Sequence, residues 1–258
     1  MKKFLVITLL FGMMTVATAI AQTKPSVDNL RQDRLLDVVR PQKNIVGYLT
    51  LPLRISMQER IPSNWEGDGE ALMAVSRIET WKPSETALII CDMWDKHWCD
   101  ISNARFGELA VALEQAVKDA RSKGVKIVHA PSECMDYYKD YPQRREAMKY
   151  RNTKLPYIAN GNKLPSEKDA VWPIDQSDEG CESSDCKPHK AWTKQIDVLS
   201  IEKDDLISDS GAELGAWFRK KGIKNVILTG VATNMCVIGR SFGLRAMKRM
   251  GMNVVLMR

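Results

Sequence analysis

From Thr86 onward the chain alternates continuous apolar runs with amphipathic stretches. TALIIC (Thr86 to Cys91), Val125–His129, Asn225–Thr229 and Asn253–Met257 lack the every-second-residue alternation of a half-solvated sheet, which predicts parallel strands buried on both faces. Ile196–Ile201 is read as one more strand. Helical spacing predicts a helix after the first strand, with Leu109, Leu113, Ala116, Val117 and Ala120 on one face and Gly124 near its stop. A second helix is expected over Ala212–Lys221, with Leu214, Trp217 and Phe218 inward. A third is expected from about Met235 to Met250, with Ile238, Phe242, Ala246 and Met247 on one side. Gly239 and Gly243 disfavour that helix by about 1 kcal/mol each relative to alanine, so close packing against the sheet is expected there. Strand, helix, strand, repeated with short turns, predicts an α/β fold: an open three-layer parallel sheet with helices on both faces.

Before Thr86 the pattern is different. Met1–Gln22 places Lys2 and Lys3 ahead of an apolar run and Ala19-Ile20-Ala21, the layout of a secretory leader cleaved after Ala21. The chain is therefore divided into a leader (1–21), an extension (22–80) and a main domain (81–258), and the mature protein is expected to be exported, periplasmic or secreted. Within the extension, Ile45–Ile55 and Leu72–Ile78 have strand-like composition around the turn-rich PSNWEGDGE, which predicts a hairpin. A long polar insertion, Met135 to Trp192, interrupts the main domain without a strand pattern. It reads either as a substrate loop or as a surface excursion.

Composition adds limits. With 258 residues, 44% hydrophobic and 27% charged, the chain suits one α/β domain with an extension. The net charge is +6; removal of Lys2 and Lys3 with the leader leaves 36 basic against 32 acidic side chains, a net +4. The charges are interspersed and form no basic stripe interleaved with aromatics, so nucleic acid is not an expected partner. After leader cleavage no segment is long enough to cross a bilayer. Six cysteines in an exported chain permit disulfides, and Cys181 and Cys186, in the polar loop GCESSDCKP, are candidates for a local bridge. No G-x-G-x-x-G follows a strand and no phosphate-loop motif occurs, so nothing points to a dinucleotide or other cofactor.

The chemistry concentrates in ILTGVATNMCVIGRS, residues 227–241. A strand runs into a small-residue turn, and Cys236 stands where the next helix is expected to begin. A helix N-terminus and a nearby cation lower a thiol pKa from about 8.5. Backbone N–H groups of the turn can hold an oxyanion formed when the thiolate attacks a carbonyl. Asp92, ending the first buried strand, lies at the sheet edge where open α/β folds place their sites, and can take the thiol proton and later activate water. A lone cysteine is usually a small buried hydrophobe, and Cys91 is read that way. Trp94, His97 and Trp98, in the loop after Asp92, are expected to shape a pocket.

ALIICDMWD, the strand-turn VILTGVATNMCV and the spacing between them resemble the isochorismatase-like cysteine hydrolases, a superfamily that includes nicotinamidases and N-carbamoylsarcosine amidase. The resemblance covers roughly Thr86 to Arg258 and implies a Rossmann-like sheet and an Asp, Lys, Cys triad. By match Asp92 is the acid and Cys236 the nucleophile. Lys203, leading to Gly211 and Leu214 at matching offsets, is the lysine, although Ile207, Ser208 and Asp209 depart from the family pattern. Ala232 and Cys236 would supply the oxyanion-hole N–H groups. The resemblance implies a small-molecule substrate, cleavage of an amide or other non-peptide C–N bond through a thioester, and a superfamily that often assembles as homo-oligomers. Two other readings stay open: a small-ligand binder that has lost the chemistry, and an isochorismate-type vinyl-ether hydrolase that does not need the thiol.

The metal motif of nicotinamidases, D-x-H...H after the second strand, is replaced here by HAPSECMDYYKD, so no metal is expected. His97, Cys99, His129 and Cys134 have donor types that zinc accepts, but their spacing is not diagnostic. A Cys99–Cys134 disulfide, or two pocket thiols, is the preferred use. Set against the family's extent, the sequence stops one helix early, which reads as a fragment or a shortened sheet.

Overall fold

Thr86–Cys91 is the middle strand of a five-stranded sheet in which each pairing is parallel, as its continuous apolar character requires. The computed structural model describes residues 46–60, 70–153, 181 and 185–257. The leader, the arm before residue 46, the turn PSNWEGDGE up to residue 69 and residues 154–180 of the insertion lie outside the described residues. In chain order the strands are β1 (Leu49–Arg60), β2 (Glu70–Trp81), β3 (Thr86–Cys91), β4 (Lys126–Ala130), β5 (Leu206–Ile207), β6 (Asn225–Gly230) and β7 (Asn253–Leu256). The helices are α1 (Asp100–Ser122), α2 (Pro142–Met148), α3 (Gly211–Lys221) and α4 (Leu244–Arg249).

Two compact units are distinguished by their contacts. Pro52–Glu79 belongs to the first, where β1 and β2 pair as a two-stranded sheet, each longer than the expected hairpin strands. Asn44–Leu51 and Thr80–Arg258 make the second, with strand order β5-β4-β3-β6-β7. Here the chain moves outward from β3 to β4 and β5, then returns to the other side of β3 for β6 and β7. The direction of winding therefore reverses between β3 and β6, and the crevice at the carboxyl ends of these two strands is the ligand position that open α/β sheets favour.

The core follows from the apolar runs. Leu88, Ile89 and Ile90 of β3 are at most 1% exposed, and burying each such side chain contributes roughly 1.5–3 kcal/mol. On α1 the buried stripe is Phe106, Ala110, Leu113 and Val117; Leu113 and Val117 of the expected face are buried and Ala116 and Ala120 half-buried, whereas Leu109 is exposed and Phe106 and Ala110 take the inward positions at that end. α3 buries Leu214, Trp217 and Phe218 as its spacing predicts. Ser210 caps it by accepting from the Glu213 N–H, and Gly222, at φ 71°, ends it in the left-handed conformation that glycine adopts most readily.

Three expectations are corrected. The strand expected at Ile196–Ile201 is a turn-containing segment, and the sheet position beside β4 goes to Leu206–Ile207, both fully buried. Asp205, immediately before them, accepts hydrogen bonds from Arg121 of α1 and faces His129 of β4, which fixes that register. The helix expected over Met235–Met250 is divided into a π-turn, Thr233–Val237, and the short α4. Gly243 packs against that turn so closely that a Cβ would lie 2.7 Å from the Val237 carbonyl oxygen, so the close approach is to the chain's own preceding turn and not to the sheet. The insertion also contains α2, whose buried Arg144 pairs with buried Glu213 of α3.

Candidate active site

Two backbones meet where the winding reverses. Gly230, the last residue of β6, has φ 123°, and a Cβ there would lie 1.9 Å from the Cys91 carbonyl oxygen. Only glycine fits, and its absent side chain lets the turn GVATNMC fold over the end of β3. Asp92, directly after β3, also adopts a left-handed conformation, at φ 50°, rare for a residue with a Cβ. Its N–H donates to the Ala130 carbonyl at 3.1 Å, and its carboxylate accepts from the Ser132 N–H at 2.7 Å. The strained backbone is thereby held from the neighbouring strand end, as found where a functional side chain must be aimed.

The structure brings Asp92 and Cys236 together. The buried Cys236 thiol lies against the Asp92 carboxylate, and each shifts the proton affinity of the other. The third member is Arg240, absent from the sequence reading: its Nε lies 3.4 Å from Asp92 Oδ2, its guanidinium also lies against the Cys236 sulfur, and its Nη2 lies 3.3 Å from Glu133 Oε1. Arg240 stands four residues after Cys236, and its N–H donates to the Cys236 carbonyl at 3.0 Å. One helical turn puts both side chains on one face. That spacing was the available signal.

Lys203 is not part of this group. It is exposed and lies in the turn before β5, hence at the amino edge of the sheet, whereas Asp92 and Cys236 follow the carboxyl ends of β3 and β6. Leu206 is in register with Val128, and Val128 with Ile89. Lys203 is three residues behind that line and Asp92 three residues ahead, so about 20 Å of strand length separates them. No lysine side chain spans that distance. Lys190, by contrast, lies beside Glu133, where its ammonium donates to the backbone carbonyl at 2.8 Å.

Electrostatics revise the expectation of a ready thiolate. Burial, then the charge of Asp92 and the hydrogen bond to it, push the Cys236 thiol up to about 12, against the opposing pull of Arg240. Burial likewise raises Asp92 above the usual carboxylate value of 3.8, with Arg240 and the Cys236 and Ser132 hydrogen bonds working the other way. Burial opposes the charge of Arg240, but Asp92 and Cys236 more than offset it and hold its proton more tightly than usual. The trio is thus a thiol that holds its proton tightly, a carboxyl of heightened basicity and a fixed guanidinium.

Ala232 begins the turn in a left-handed conformation, φ 59°, and its N–H has no acceptor among the described residues. It stands four residues before Cys236 at the mouth of the turn. Ser132 is 2% exposed, and its Oγ has no hydrogen-bond partner among the described residues although its N–H binds Asp92.

Trp94, His97 and Trp98 do gather. Trp94 stacks on Trp192 with centroids 4.2 Å apart, and His97 stacks on the same Trp192 at 5.9 Å and touches Trp98 at 5.0 Å. Trp94 Nε1 donates to the Ser132 carbonyl at 3.1 Å, which ties this aromatic wall to the residue that holds Asp92. Burial and the neighbouring His189 lower the His97 pKa, leaving a neutral ring. Asp95 clamps the segment carrying Trp192 by accepting from the N–H groups of Thr193 and Lys194.

The cysteine expectations are corrected. Cys99 is bonded to Cys181, Cys186 is free beside them, and Cys134 is a free buried thiol pushed up to about 12 by burial. Neither Cys181–Cys186 nor Cys99–Cys134 forms. His129 is not near Cys99 either: fully buried, it is 2.9 Å from Gln195 Oε1 and 3.1 Å from Asp205 Oδ2. Burial works against the Asp205 charge, but hydrogen bonds from His129, Arg121 and the Glu202 N–H hold its carboxyl below the ordinary range. Cys91, fully buried, is raised well above the ordinary thiol value by burial and then by Asp92, in keeping with an inert core cysteine.

Residues 86–258 match the family model described as the Isochorismatase domain. Among solved structures, the chain is similar to a cysteine hydrolase from Pseudomonas syringae pv. phaseolicola 1448A, with 17% identity, 68% of this chain and 71% of that chain covered, and a TM-score of 0.38. It is also similar to an isochorismatase family protein from Burkholderia thailandensis, with 15% identity, 67% and 76% covered, and a TM-score of 0.36. Among curated proteins none matches.

Proposed function

Since this chain belongs to the isochorismatase family, a family of hydrolases, we propose that it hydrolyses a small amide or other non-peptide C–N bond through a thioester on Cys236. The supporting observation is the thiol of Cys236 beside Asp92 with the Arg240 guanidinium against both.

Asp92 accepts the thiol proton as sulfur forms a bond to the substrate carbonyl carbon. Transferring the proton exchanges a carboxylate for a thiolate beside the same guanidinium, so Arg240 stabilises the charge in either position. The raised pKa of Asp92 suits this, because a more basic carboxylate takes the proton more readily. The carbonyl oxygen becomes an oxyanion facing the N–H groups of Ala232 and Cys236. Collapse breaks the C–N bond, and the proton held by Asp92 leaves with the nitrogen. Water, deprotonated by Asp92, then attacks the thioester; the carboxylic acid departs and the thiol is restored. Ser132 Oγ is a hydrogen-bonding group for the substrate, and Trp94, His97 and Trp98 form one wall. The leader-like first 21 residues support an exported setting.

The same raised Asp92 favours one second reading. A carboxyl that holds its proton can act as the general acid of vinyl-ether hydrolysis, and that chemistry does not use the thiol. Both readings are tested by a panel of small amides, ureido compounds and isochorismate assayed with the wild type and with Cys236→Ala. Amide turnover abolished by the substitution is expected. Amide turnover surviving it would refute the thioester route, and isochorismate turnover surviving it would install the second reading.

A further inference from the structure

Away from the Asp92–Cys236 pair, three sulfurs converge: those of Cys99, Cys181 and Cys186 lie within 4.8 Å of one another. A disulfide between Cys99 and Cys181 leaves the third, half-buried thiol beside it without a function. We infer that Cys99, Cys181 and Cys186 form a tetrahedral zinc site in the thiol state of the protein, completed by the exposed His189, which lies outside the 4.8 Å group and must swing in to bind.

Geometry, spacing and tautomer each point to it. Tetrahedral zinc with Zn–S bonds near 2.3 Å needs sulfurs about 3.8 Å apart, a spacing the three can take once the disulfide is open. Cys181 and Cys186 are separated by four residues, within the C-x2–4-C range of structural zinc sites, and His189 follows three positions after Cys186. Two imidazoles are close enough to influence each other, His97 and His189. His97 Nδ1 accepts from the Cys99 N–H at 3.1 Å, so in its neutral ring the proton sits on Nε2 and neither nitrogen is free. His189 is the reverse. Its Nδ1 lies 2.9 Å from the Lys187 carbonyl oxygen, which can only accept, so Nδ1 donates there and Nε2 is the nitrogen left for a metal. A ring nitrogen fixed by a backbone carbonyl while the other faces outward is the usual preparation of a zinc-binding histidine.

The bound state and the disulfide are alternative uses of the same sulfurs. Zinc binding removes three protons from three thiols and transfers no electrons. The Cys99–Cys181 bond requires loss of two protons and two electrons to an oxidant, such as another disulfide. In either state Cys99, at the start of α1, is tied to the segment that leads into Trp192. Zinc adds Cys186 and His189 to that tie and so braces the aromatic wall beside Asp92 from behind.

The test uses the full chain, reduced with a phosphine, freed of reductant under argon and titrated with Zn2+ against a chromophoric chelator. One equivalent should bind, and Co2+ in its place should give the thiolate charge-transfer and intense visible bands of a tetrahedral site. Cys186→Ser, which leaves the disulfide partners intact, should weaken zinc by about 100-fold or more, and His189→Ala by about 10- to 100-fold. Recovery of the Cys99–Cys181 disulfide on reoxidation shows that each variant is folded. Failure of the reduced wild type to bind one equivalent, or equal zinc affinity in wild type and Cys186→Ser, overturns the zinc site. Equal affinity in His189→Ala alone overturns the fourth ligand.

Discussion

Arg240 stands one helical turn beyond Cys236, with its Nε 3.4 Å from the Asp92 carboxylate that lies against the Cys236 thiol. It supplies beside Asp92 a positive charge, a part that the family resemblance assigns to a lysine. Arg240→Ala should lower kcat/KM on the substrate found by the panel by about 100- to 1,000-fold, the range for losing one group that meets developing charge. Arg240→Lys should recover part of this, since it keeps the charge and loses the fork. Lys203→Ala, at the opposite edge of the sheet, should leave kcat/KM within twofold on the order of assay error. Equal losses in Arg240→Ala and Lys203→Ala would return the role to Lys203.

The thiol should be unreactive at rest. With Cys236 pushed up to about 12, iodoacetamide labelling of the free protein should be slow at pH 7 and should accelerate towards pH 12. Mass spectrometry after timed quenching follows the site directly. Rapid selective labelling of Cys236 at pH 6 would show instead that Arg240 outweighs burial and Asp92. Slow labelling does not argue against the hydrolase, because the proton leaves the thiol only as the carbonyl is attacked.

Turnover should show an acid limb set by Asp92. The carboxylate must be ionised to accept the thiol proton, and its pKa is raised, so kcat/KM should fall as pH drops through a midpoint above the ordinary 3.8. Asp92→Asn should abolish turnover and yet raise the melting temperature at pH 7. The sign follows from linkage: a carboxyl whose folded pKa exceeds its unfolded value contributes stability below the unfolded pKa and loses it as pH rises through the folded one. Above the unfolded pKa the buried Asp92 is therefore a net cost, which a neutral isostere removes. A lower melting temperature for Asp92→Asn than for wild type would contradict the raised pKa.

What the sequence made legible, and what it did not, divides by range. Continuous apolar runs locate β3, β4 and β6 because burial on both faces imprints each residue, and β7, expected to be equally buried, is found as a partly exposed edge strand; the strand-end positions of Asp92 and Cys236 follow from β3 and β6. The two-residue β5 carries no periodicity; its place depends on Asp205 meeting Arg121 and His129, partners distant in sequence. The break at Gly243 arises from contact with Val237, which a helical pattern cannot anticipate. Lys203 rests on motif offsets alone, whereas Arg240 follows from one turn of helix beyond the nucleophile. Cys99 meeting Cys181, 82 residues away, is a tertiary fact with no local trace.

The insertion is fastened to α3 through a buried ion pair, and the loss of that pair should be felt as stability rather than chemistry. Arg144 of α2 is 4% exposed and Glu213 of α3 is 1% exposed; Ser208 adds a hydroxyl donor at 2.6 Å. Burial raises the Glu213 carboxyl, but Arg144, Ser208 and Arg151 together lower it below the usual value. Arg144→Ala would strand a buried carboxylate with Ser208 and the half-exposed Arg151 as remaining partners, a change that costs about 3 kcal/mol. The destabilisation should be largest at neutral pH and shrink on acidification, as Glu213 takes up a proton and no longer needs the guanidinium. The paired change Arg144→Met with Glu213→Gln should recover much of the stability, because it removes the uncompensated charge. Denaturant unfolding at two pH values measures both effects. An Arg144→Ala protein as stable as wild type at pH 7 would show that α2 is held by its apolar contacts alone.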